Sequence, residues 1–494
     1  MVANAGPRGR GPYLADGMIL SVVAVVPVIA LCSTMTQPAS SPHIVIAGAS
    51  GYIGMALIPR LLERFPGGAV TAIARRDLAS SDARVVWRAC DLFSLKSLEE
   101  ALPERVDLAF YLVHSMGPTA HLDQGDFADY DLILADNFAR ALRGRGVRQV
   151  IYLGGLIPEC GRLSRHLQSR LEVEKTLADF ALPLTVFRAG LILGEAGSSS
   201  RILLKLVQRL PFMLCPQWTQ TLNTPVDLPR VLDALTDAAL REEAVGRVYD
   251  LAGCPPLTYV DMMRETAAVL GKKRSFWPVP FFTPTLSRLW VSLITRSPKS
   301  LVYPLIESLE HPMVAREDHG YPGVQRAARY RDLLAGVTGQ EPAEAPRPRF
   351  RAISRTVRSV QRLPLPAGRD AQWVMEQYLA WLPRFLAPLI RVRCVGTTVH
   401  FSMLAEVPVL LKLEVSESRS HRDRVLLYIV GGLLARTSEA GRLEFRTTSD
   451  RRHVLAAIHD FRPALPWYIY TISQARLHVA VMRAFSRHLA RQAE

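Results

Sequence analysis

The chain has 494 residues, of which 49% are hydrophobic and 21% are charged, with a formal net charge of +15 and a pI near 9.8. This length predicts two or three folded domains, and the composition excludes a long disordered or low-complexity segment. Positive charge favours polyanionic partners, but the arginines are spread along the chain and no basic run alternates with aromatic residues, so nucleic-acid binding is not predicted. The six cysteines include no C-x-x-C pair, which indicates neither a metal site nor a disulfide framework and fits a reducing compartment.

Residues 1–40 form a distinct N-terminal segment. Arg8 and Arg10 precede an apolar run from Met18 to Cys32, which is short for a membrane span. Three interpretations stay open for this segment: a short membrane anchor, a signal-like peptide, or a translation start that really lies at Met35.

A glycine-rich turn follows the first predicted strand. His43 to Ala47 has the pattern of a buried parallel strand, and Met55 to Phe65 has that of a helix. Between them, Gly48 permits a tight turn, Gly51 lets backbone amides approach a pyrophosphate, and Gly54 lets the helix pack closely. The helix N-terminus then offers its partial positive charge to the phosphates. The order predicts a Rossmann-type NAD(P) site, with candidate residues Gly48, Ser50, Gly51, Tyr52, Ile53 and Gly54.

The second predicted strand, Ala69 to Ala74, ends in two arginines. Arg75 and Arg76 lie about twenty residues past the glycine turn, where an NAD-binding protein places an acidic residue on the ribose. Guanidinium groups suit a 2′-phosphate, so NADP is preferred, with NAD as the alternative. At least one arginine is expected to bind the phosphate, whereas the competing interpretation is that both are merely solvated.

Further strands follow in alternation with helices. Arg84 to Cys90 is the third strand, Val106 to Val113 the fourth, and Gln149 to Leu153 the fifth. This alternation predicts an α/β domain with a doubly wound parallel sheet. Asp91 is placed to contact adenine, and the candidate cofactor residues on these strand ends are Asp91, Leu92, Val113 and His114.

These motifs together resemble the atypical, NmrA-like, extended-type short-chain dehydrogenases/reductases. The resemblance is carried by the glycine motif, Asp91-Leu92, Tyr111 to Met116, Asn137 and Gly146 to Gly155, and it covers roughly residues 43 to 330. More narrowly, the chain is similar to bacterial NAD(P)-binding proteins labelled nucleoside-diphosphate-sugar epimerases. The resemblance implies a cofactor-binding Rossmann domain with a small substrate lobe over residues 41–335, and it does not name a reaction.

The catalytic signature of that family is altered. Working members carry a hydroxyl residue after the fifth strand and Tyr-x-x-x-Lys on the next helix, whereas this chain has Gly154 and Gly155, then His166 and Arg170. Arg170 is expected to bind ribose hydroxyls but cannot shuttle a proton, while His166 can donate one near neutral pH. One interpretation is a modified acid and ribose clamp assisted by Ser164 or Ser169. The other is a site without proton transfer, in a domain that senses or stores NADP(H).

The C-terminal part has a different pattern. Residues 336–350 have the composition of a linker, and residues 351–494 predict an α+β domain. An antiparallel sheet closed by a long C-terminal helix suggests a helix-grip fold that holds apolar ligands, and it resembles both START-like domains and the domain of unknown function that follows the reductase domain in those bacterial proteins. The predicted strands are Arg355–Arg362, Val392–Met403, Val409–Ser416, Val425–Ala435 and Gly441–Thr448, and the predicted helices are Asp370–Phe385 and Pro466–Ala490.

The sequence therefore predicts an NADP-dependent oxidoreductase or epimerase-like enzyme acting on a small, apolar molecule. The alternative is a non-catalytic, NADP(H)-responsive regulatory or assembly protein. Phe276 to Tyr303 is rich in Trp, Phe, Pro and Leu, which indicates either a membrane-surface or hydrophobic-substrate contact or ordinary broken amphipathic helices. Because nucleotide cofactors are cytoplasmic, a cytoplasmic location is expected, with association to the inner membrane through residues 1–40 as a further option.

Overall fold

The computed structural model describes residues 41–115, 122–159, 162–279, 284–296, 298–335, 337, 356–403, 408–438 and 440–493. The N-terminal apolar segment and, apart from Val337, the predicted linker lie outside the described residues. The first elements in chain order are β1 (His43–Ala47), α1 (Tyr52–Arg64), β2 (Ala69–Ala74), β3 (Val85–Ala89), α2 (Leu95–Ala101), β4 (Leu108–Tyr111), β5 (Leu122–Gln124), α3 (Phe127–Leu142), β6 (Gln149–Gly155), α4 (Arg165–Ala178) and β7 (Leu184–Ala189).

The next elements build the rest of the first sheet and a small lobe. They are β8 (Ile192–Leu193), α5 (Ser198–Arg209), β9 (Phe212–Pro216), β10 (Leu222–Asn223), β11 (Val226–Asp227), α6 (Leu228–Ala238), β12 (Val248–Leu251), β13 (Leu257–Thr258), α7 (Tyr259–Val269), β14 (Ser275–Val279), α8 (Pro284–Thr295), α9 (Lys299–Ser308) and α10 (Tyr330–Leu333).

Seven strands form a parallel sheet in the order β12-β7-β6-β4-β1-β2-β3. Their cores are nearly continuous apolar runs because helices cover both faces of the sheet. Leu57 of α1 and Leu235 of α6 pack on one face, whereas Phe138 of α3 and Leu177 of α4 pack on the other. The strand order reverses between β1 and β4, which places the ligand crevice at their carboxyl ends. The predicted doubly wound α/β fold is confirmed.

The C-terminal elements form a second sheet. Its order is β16-β17-β18-β19-β20-β21-β15-β5, antiparallel except for the parallel contact of β5 with β15. Helices α11 and α13 pack on one face around Phe445 and Phe485. The elements are β15 (Val357–Pro364), α11 (Ala371–Phe385), β16 (Ile390–Val395), β17 (Thr398–Met403), β18 (Val409–Val415), β19 (Arg424–Gly431), β20 (Arg442–Thr447), β21 (His453–Phe461), α12 (Trp467–Ile472) and α13 (Gln474–Ala493).

Helix α3 lies between the two sheets. Thirteen of its sixteen residues are buried, because one side packs on the parallel sheet and the other contacts the second sheet. Tyr130 and Ile133 meet Val360 and Leu455 there. Because α3 is buried on all sides, both of its sides must be covered by protein, and the C-terminal domain covers the side that faces away from the parallel sheet.

Three predictions for the C-terminal domain are corrected. The predicted strand from Val392 to Met403 is two strands, which turn at Gly396 with a left-handed φ of +58°. Strand β21 and the three-residue β5 were not predicted. The predicted long final helix is interrupted at Ser473, which separates α12 from α13. None of the helices in the described part of the chain is both long enough and apolar enough to cross a membrane.

Candidate cofactor site

The glycine turn after β1 has the shape that a dinucleotide site requires. Gly48 has a φ of +85°, and a Cβ atom there would lie 2.8 Å from the carbonyl oxygen of Leu112. A Cβ atom at Gly54 would lie 2.5 Å from the carbonyl oxygen of Gly48, so the helix can approach only without a side chain. Gly51 precedes α1 and provides no side-chain cap, which leaves the first amides of the helix for an anion.

Tyr52, the first residue of α1, reaches Gly194 after β8. A Cβ atom at Gly194 would lie 2.1 Å from the Tyr52 hydroxyl oxygen, so this contact depends on glycine at position 194. Burial raises the pKa of Tyr52, with a smaller contribution from the charge of Glu195. The sequence interpretation placed Tyr52 in the turn but missed its contact with Gly194.

The two arginines after β2 are exposed. Within the described residues, Arg75 and Arg76 form neither a hydrogen bond nor an ion pair. They follow the strand next to β1, so their guanidinium groups stand at the same sheet edge as the glycine turn. Both cations are therefore available to an anionic ligand.

The C-terminal sheet closes the end of the crevice where adenine is expected. Asp91 accepts a hydrogen bond from the backbone amide of Phe93 (3.1 Å) and another from Arg358 of β15 (2.7 Å). Burial raises the pKa of Asp91, but the Arg358 charge, the Phe93 amide and the charges of His459 and Arg442 together outweigh it, so the net pKa is lowered. The Arg358 guanidinium carbon also lies 3.7 Å from the ring centroid of Phe93. The Asp91 side chain keeps 43% of its exposure, so one face still points to solvent.

Asn137 of α3 links the chain after β3 to the C-terminal sheet. Its amide nitrogen donates to the carbonyl oxygen of Leu92 (2.8 Å), and its amide oxygen accepts from Arg446 of β20 (2.8 Å). Arg446 is buried with Glu444 and forms short ion pairs with Glu444 and Asp136. A chain of buried charges thus joins helix α3 to the C-terminal sheet.

Helix α4 presents Arg170 to a carboxylate rather than to the crevice. Arg170 is 6% exposed and forms a very short ion pair with Asp131 of α3. The same carboxylate accepts hydrogen bonds from the Ser115 amide (2.8 Å) and the Ser169 hydroxyl (3.1 Å), and it lies 3.2 Å from His114 Nδ1. Burial disfavours both charges, but their mutual attraction keeps the pKa of Asp131 low and that of Arg170 high. Arg170 is a cation whose charge is already balanced inside the protein.

His166 is also enclosed. Its Nδ1 atom lies 3.0 Å from the Ser308 hydroxyl of α9, and its ring centroid lies 5.4 Å from that of His114. Burial lowers the pKa of His166 well below its ordinary range, and the neighbouring charges of His114 and Arg170 lower it further. This direction favours a neutral His166 at pH 7, and its role as a proton donor stays a prediction. Ser164, predicted to assist, caps α4 and contacts Ser308 (3.0 Å).

Residues 44–166 match the NAD dependent epimerase/dehydratase family. The auxiliary protein GraX of Staphylococcus aureus (strain NCTC 8325 / PS 47) is 30% identical over 116 residues, which are 23% of this chain and 36% of that protein. The chain thus spans about a third of the length of this curated relative. The N-terminal part of the chain is an NAD(P)-binding domain.

Solved structures resemble the NAD(P)-binding domain at low identity. Triphenylmethane reductase from Citrobacter sp. is 17% identical with a TM-score of 0.49, covering 60% of this chain and 100% of that one. Its complex with NADP(H) is 17% identical with a TM-score of 0.48, covering 59% and 98%. A nucleoside-diphosphate-sugar epimerase from Staphylococcus aureus is 12% identical with a TM-score of 0.45, covering 61% and 96%.

The NAD(P)-binding domain brings most of the predicted residues to one edge. They follow four neighbouring strands, β4, β1, β2 and β3. His166 and Arg170 are instead held inside by Ser308 and Asp131, two residues that sequence reasoning missed. Asp131 carried one signal, since an acidic residue in an apolar helix requires a buried partner. The roles in cofactor binding and catalysis stay predictions for Gly48, Ser50, Gly51, Tyr52, Ile53, Gly54, Arg75, Arg76, Asp91, Leu92, Val113, His114, His166 and Arg170.

Proposed function

We propose that this protein is an NADP(H)-dependent oxidoreductase that delivers hydride to a small, apolar acceptor without an acid–base relay on helix α4. The preference for NADP rests on one observation: Arg75 and Arg76 beside the glycine turn are exposed and have no hydrogen-bond or ion-pair partner in the part of the chain that the structure describes. A guanidinium group can hold a 2′-phosphate bidentately, and an unpaired one gives up no existing partner to do so.

The residues of the turn fit the cofactor. Side chains at Gly48 or Gly54 would collide with the backbone, and the uncapped start of α1 faces the place of the pyrophosphate. Bound NADPH supplies the hydride. The chain would contribute Arg75 and Arg76 to hold the 2′-phosphate and, after the neighbouring strand on the same adenine side, Asp91 fixed by Arg358.

The balance of charges at α4 supports the proposal of a reaction without a relay. Arg170 is held by Asp131, and neutral His166 is hydrogen-bonded at Nδ1. We therefore expect an acceptor whose reduction draws no proton from the enzyme, either a cationic one that becomes neutral on gaining hydride or one whose product takes its proton from water. The apolar helix α9, which contacts α4, favours an apolar acceptor.

The cofactor assignment is tested by titrating the full chain with NADPH and NADH in a calorimeter. Replacing Arg75 and Arg76 together by Ala should weaken NADPH binding roughly 10- to 100-fold, from the loss of one or two charge-assisted hydrogen bonds, and leave NADH binding nearly unchanged. The control replaces Arg64 and Arg143, which are exposed at the C-terminal ends of α1 and α3, and it removes the same amount of positive charge.

Equal losses for both nucleotides would remove the arginines from 2′-phosphate recognition. If the wild type bound neither nucleotide, the assignment of an NAD(P) cofactor would be wrong.

A second candidate is an NADP(H)-responsive, non-catalytic protein. One observation favours it: Asp91 belongs to the cofactor crevice, yet its partner Arg358 belongs to the C-terminal sheet. Ligand binding at Asp91 would thus act directly on a contact between the two domains.

Two measurements on the wild type and His166→Asn, NADPH oxidation and hydrogen exchange, distinguish the oxidoreductase from the non-catalytic protein. The oxidoreductase predicts NADPH oxidation with some acceptors and rates that change less than about threefold in the variant, because a lost general acid would cost roughly a hundredfold or more. The responsive protein predicts no turnover with any acceptor, but altered hydrogen exchange along β15 when NADPH is added.

A further inference from the structure

A ribbon in the small lobe exposes an apolar face. Strands β9 and β14 pair in parallel, and Leu214 lies directly opposite Trp277. Phe212, Leu214 and Trp277 are 64%, 41% and 60% exposed, whereas the intervening Met213 and Cys215 are buried. Alternation along β9 therefore separates an inner face that packs in the lobe core from an outer face that carries large apolar side chains in water.

Helix α8 adds a second exposed apolar face at the same end of the lobe. Leu289 and Leu293 are four residues apart and 45% and 75% exposed, while Val291 between them is fully buried. The last turn of α8 is held against α5, because Arg209 donates to the carbonyl oxygen of Ile294 (2.6 Å). Arg209 ends α5 only three residues before Phe212, so the α8 face and the ribbon adjoin.

The chain segments that supply these two faces carry one sign of charge. Residues 196–226 and 266–306, which supply α5, β9, β14, α8 and most of α9, contain nine Arg and Lys residues and no Asp or Glu. The nearest acidic residue of α9, Glu307, is paired with Arg288. The exposed cations around the two faces are Arg209, Lys272, Lys273, Arg296 and Lys299.

We propose that this end of the small lobe binds the surface of an anionic lipid membrane. We call it the lobe face and define it by Phe212, Leu214, Trp277, Leu289, Leu293 and the five exposed cations. Its apolar side chains would enter the headgroup region, where Trp is favoured, and its cations would meet lipid phosphates. Large apolar side chains flanked by these cations fit this partner, because a nucleic acid would meet the cations but leave the leucines in water.

This inference does not rest on the cofactor site. It selects the membrane-surface interpretation of the stretch from Phe276 to Tyr303. It also adds Phe212 and Leu214, which the sequence did not single out. Only pairing of β9 with β14 brings these residues beside Trp277.

Flotation of the full chain with lipid vesicles tests the lobe face. Vesicles of phosphatidylcholine alone are compared with vesicles that also contain phosphatidylglycerol, at low and at high salt. The wild type should bind only the anionic vesicles, and the bound fraction should fall with salt. Trp277→Ser with Leu293→Ser should lower the affinity roughly tenfold or more, and Lys272→Gln with Lys273→Gln should lower it several-fold and flatten the salt dependence.

The matched controls replace equally exposed groups elsewhere. Leu433→Ser with Ile472→Ser, which are 58% and 62% exposed in the C-terminal domain, should leave vesicle binding unchanged, as should Arg64→Gln with Arg143→Gln. Unchanged NADPH affinity and thermal unfolding show that each variant has folded. Absence of wild-type binding, equal binding to neutral vesicles, or full binding by both lobe-face variants would each overturn the proposal. The last result would assign membrane contact to another part of the chain.

Discussion

Two pairs of basic residues at the cofactor crevice differ in one respect that decides their chemistry. Arg75 and Arg76 are exposed and have no partner among the described residues, whereas Arg170 is buried against Asp131 and adjoins neutral His166. The sequence predicted ligand contacts for all four residues, because each stands where the family places a functional group. The comparison teaches that position in a motif indicates a role only where the charge of the residue is still available. The crevice is therefore divided into an open, cationic end and a closed, internally balanced end.

The largest expected effect lies at the closed end. Asp131→Ala removes the carboxylate that balances Arg170 and accepts three further contacts, so it should lower the free energy of unfolding by about 3–5 kcal/mol. Urea unfolding of the full chain measures the loss. The control, Asp233→Ala, breaks an exposed ion pair with Arg60 (3.9 Å) and should cost less than about 1 kcal/mol. Similar losses in both variants would contradict the description of Arg170 as internally balanced.

The next effect is a pH dependence that comes from His166. Its folded-state pKa is depressed by burial, so the unfolded chain binds a proton that the folded chain does not, and stability falls as the pH drops below about 6.5. At pH 5 this histidine should contribute a loss of roughly 2 kcal/mol relative to pH 7, by about 1.4 kcal/mol per pH unit.

Thermal unfolding of the wild type and His166→Gln at both pH values isolates that contribution. The variant should lose less stability on acidification, even though it is less stable at pH 7 without the Ser308 contact. Parallel pH curves for the two proteins would show that His166 is accessible to solvent and return it to the list of candidate acids.

The smallest effect belongs to the open end. Replacing Arg75 and Arg76 by Ala should change the free energy of unfolding of the ligand-free protein by less than about 0.5 kcal/mol, because both side chains are exposed and neither forms a hydrogen bond or ion pair with another described residue. The same urea experiment measures it, in the absence of nucleotide. A loss above about 1 kcal/mol, the scale of one hydrogen bond, would mean that the arginines support the fold and would contradict the contrast with Asp131.

The sequence predicted the elements whose signals are local. The glycine turn, β1 and β2 follow from residues within a few positions of one another, and the bounds of both strands agree with the structure. The helix after the turn begins at Tyr52, three residues before its predicted start at Met55. The hairpin of β16 and β17 was merged because its turn at Gly396 is short, and β21 was missed because His459 and Asp460 interrupt its apolar pattern. A local pattern could not show that His459 is buried beside Glu444.

The buried contacts of His166, Arg170 and Asp91 could not be predicted because they join distant parts of the chain. Ser308 meets His166 across 142 residues, and Arg358 meets Asp91 across 267. An ion pair of this kind exists only after folding has desolvated both groups, and neither residue alone shows which partner it will have. The motif located Arg170 correctly in α4, but its neutralisation by Asp131 depends on how α3 packs beside that helix.

The pairing of β5 with β15 has a consequence for the order of events during synthesis. Gln361 donates its side-chain amide to the carbonyl oxygen of Gln124, and 237 residues separate them. A ribosome that adds about 5–20 residues per second needs roughly 10 to 50 s to make that stretch. Throughout this interval the nascent chain exposes the outer side of α3 and the β5 edge, which only the last part of the chain covers. Slowing translation between these points should therefore increase chaperone dependence more than slowing it after β15.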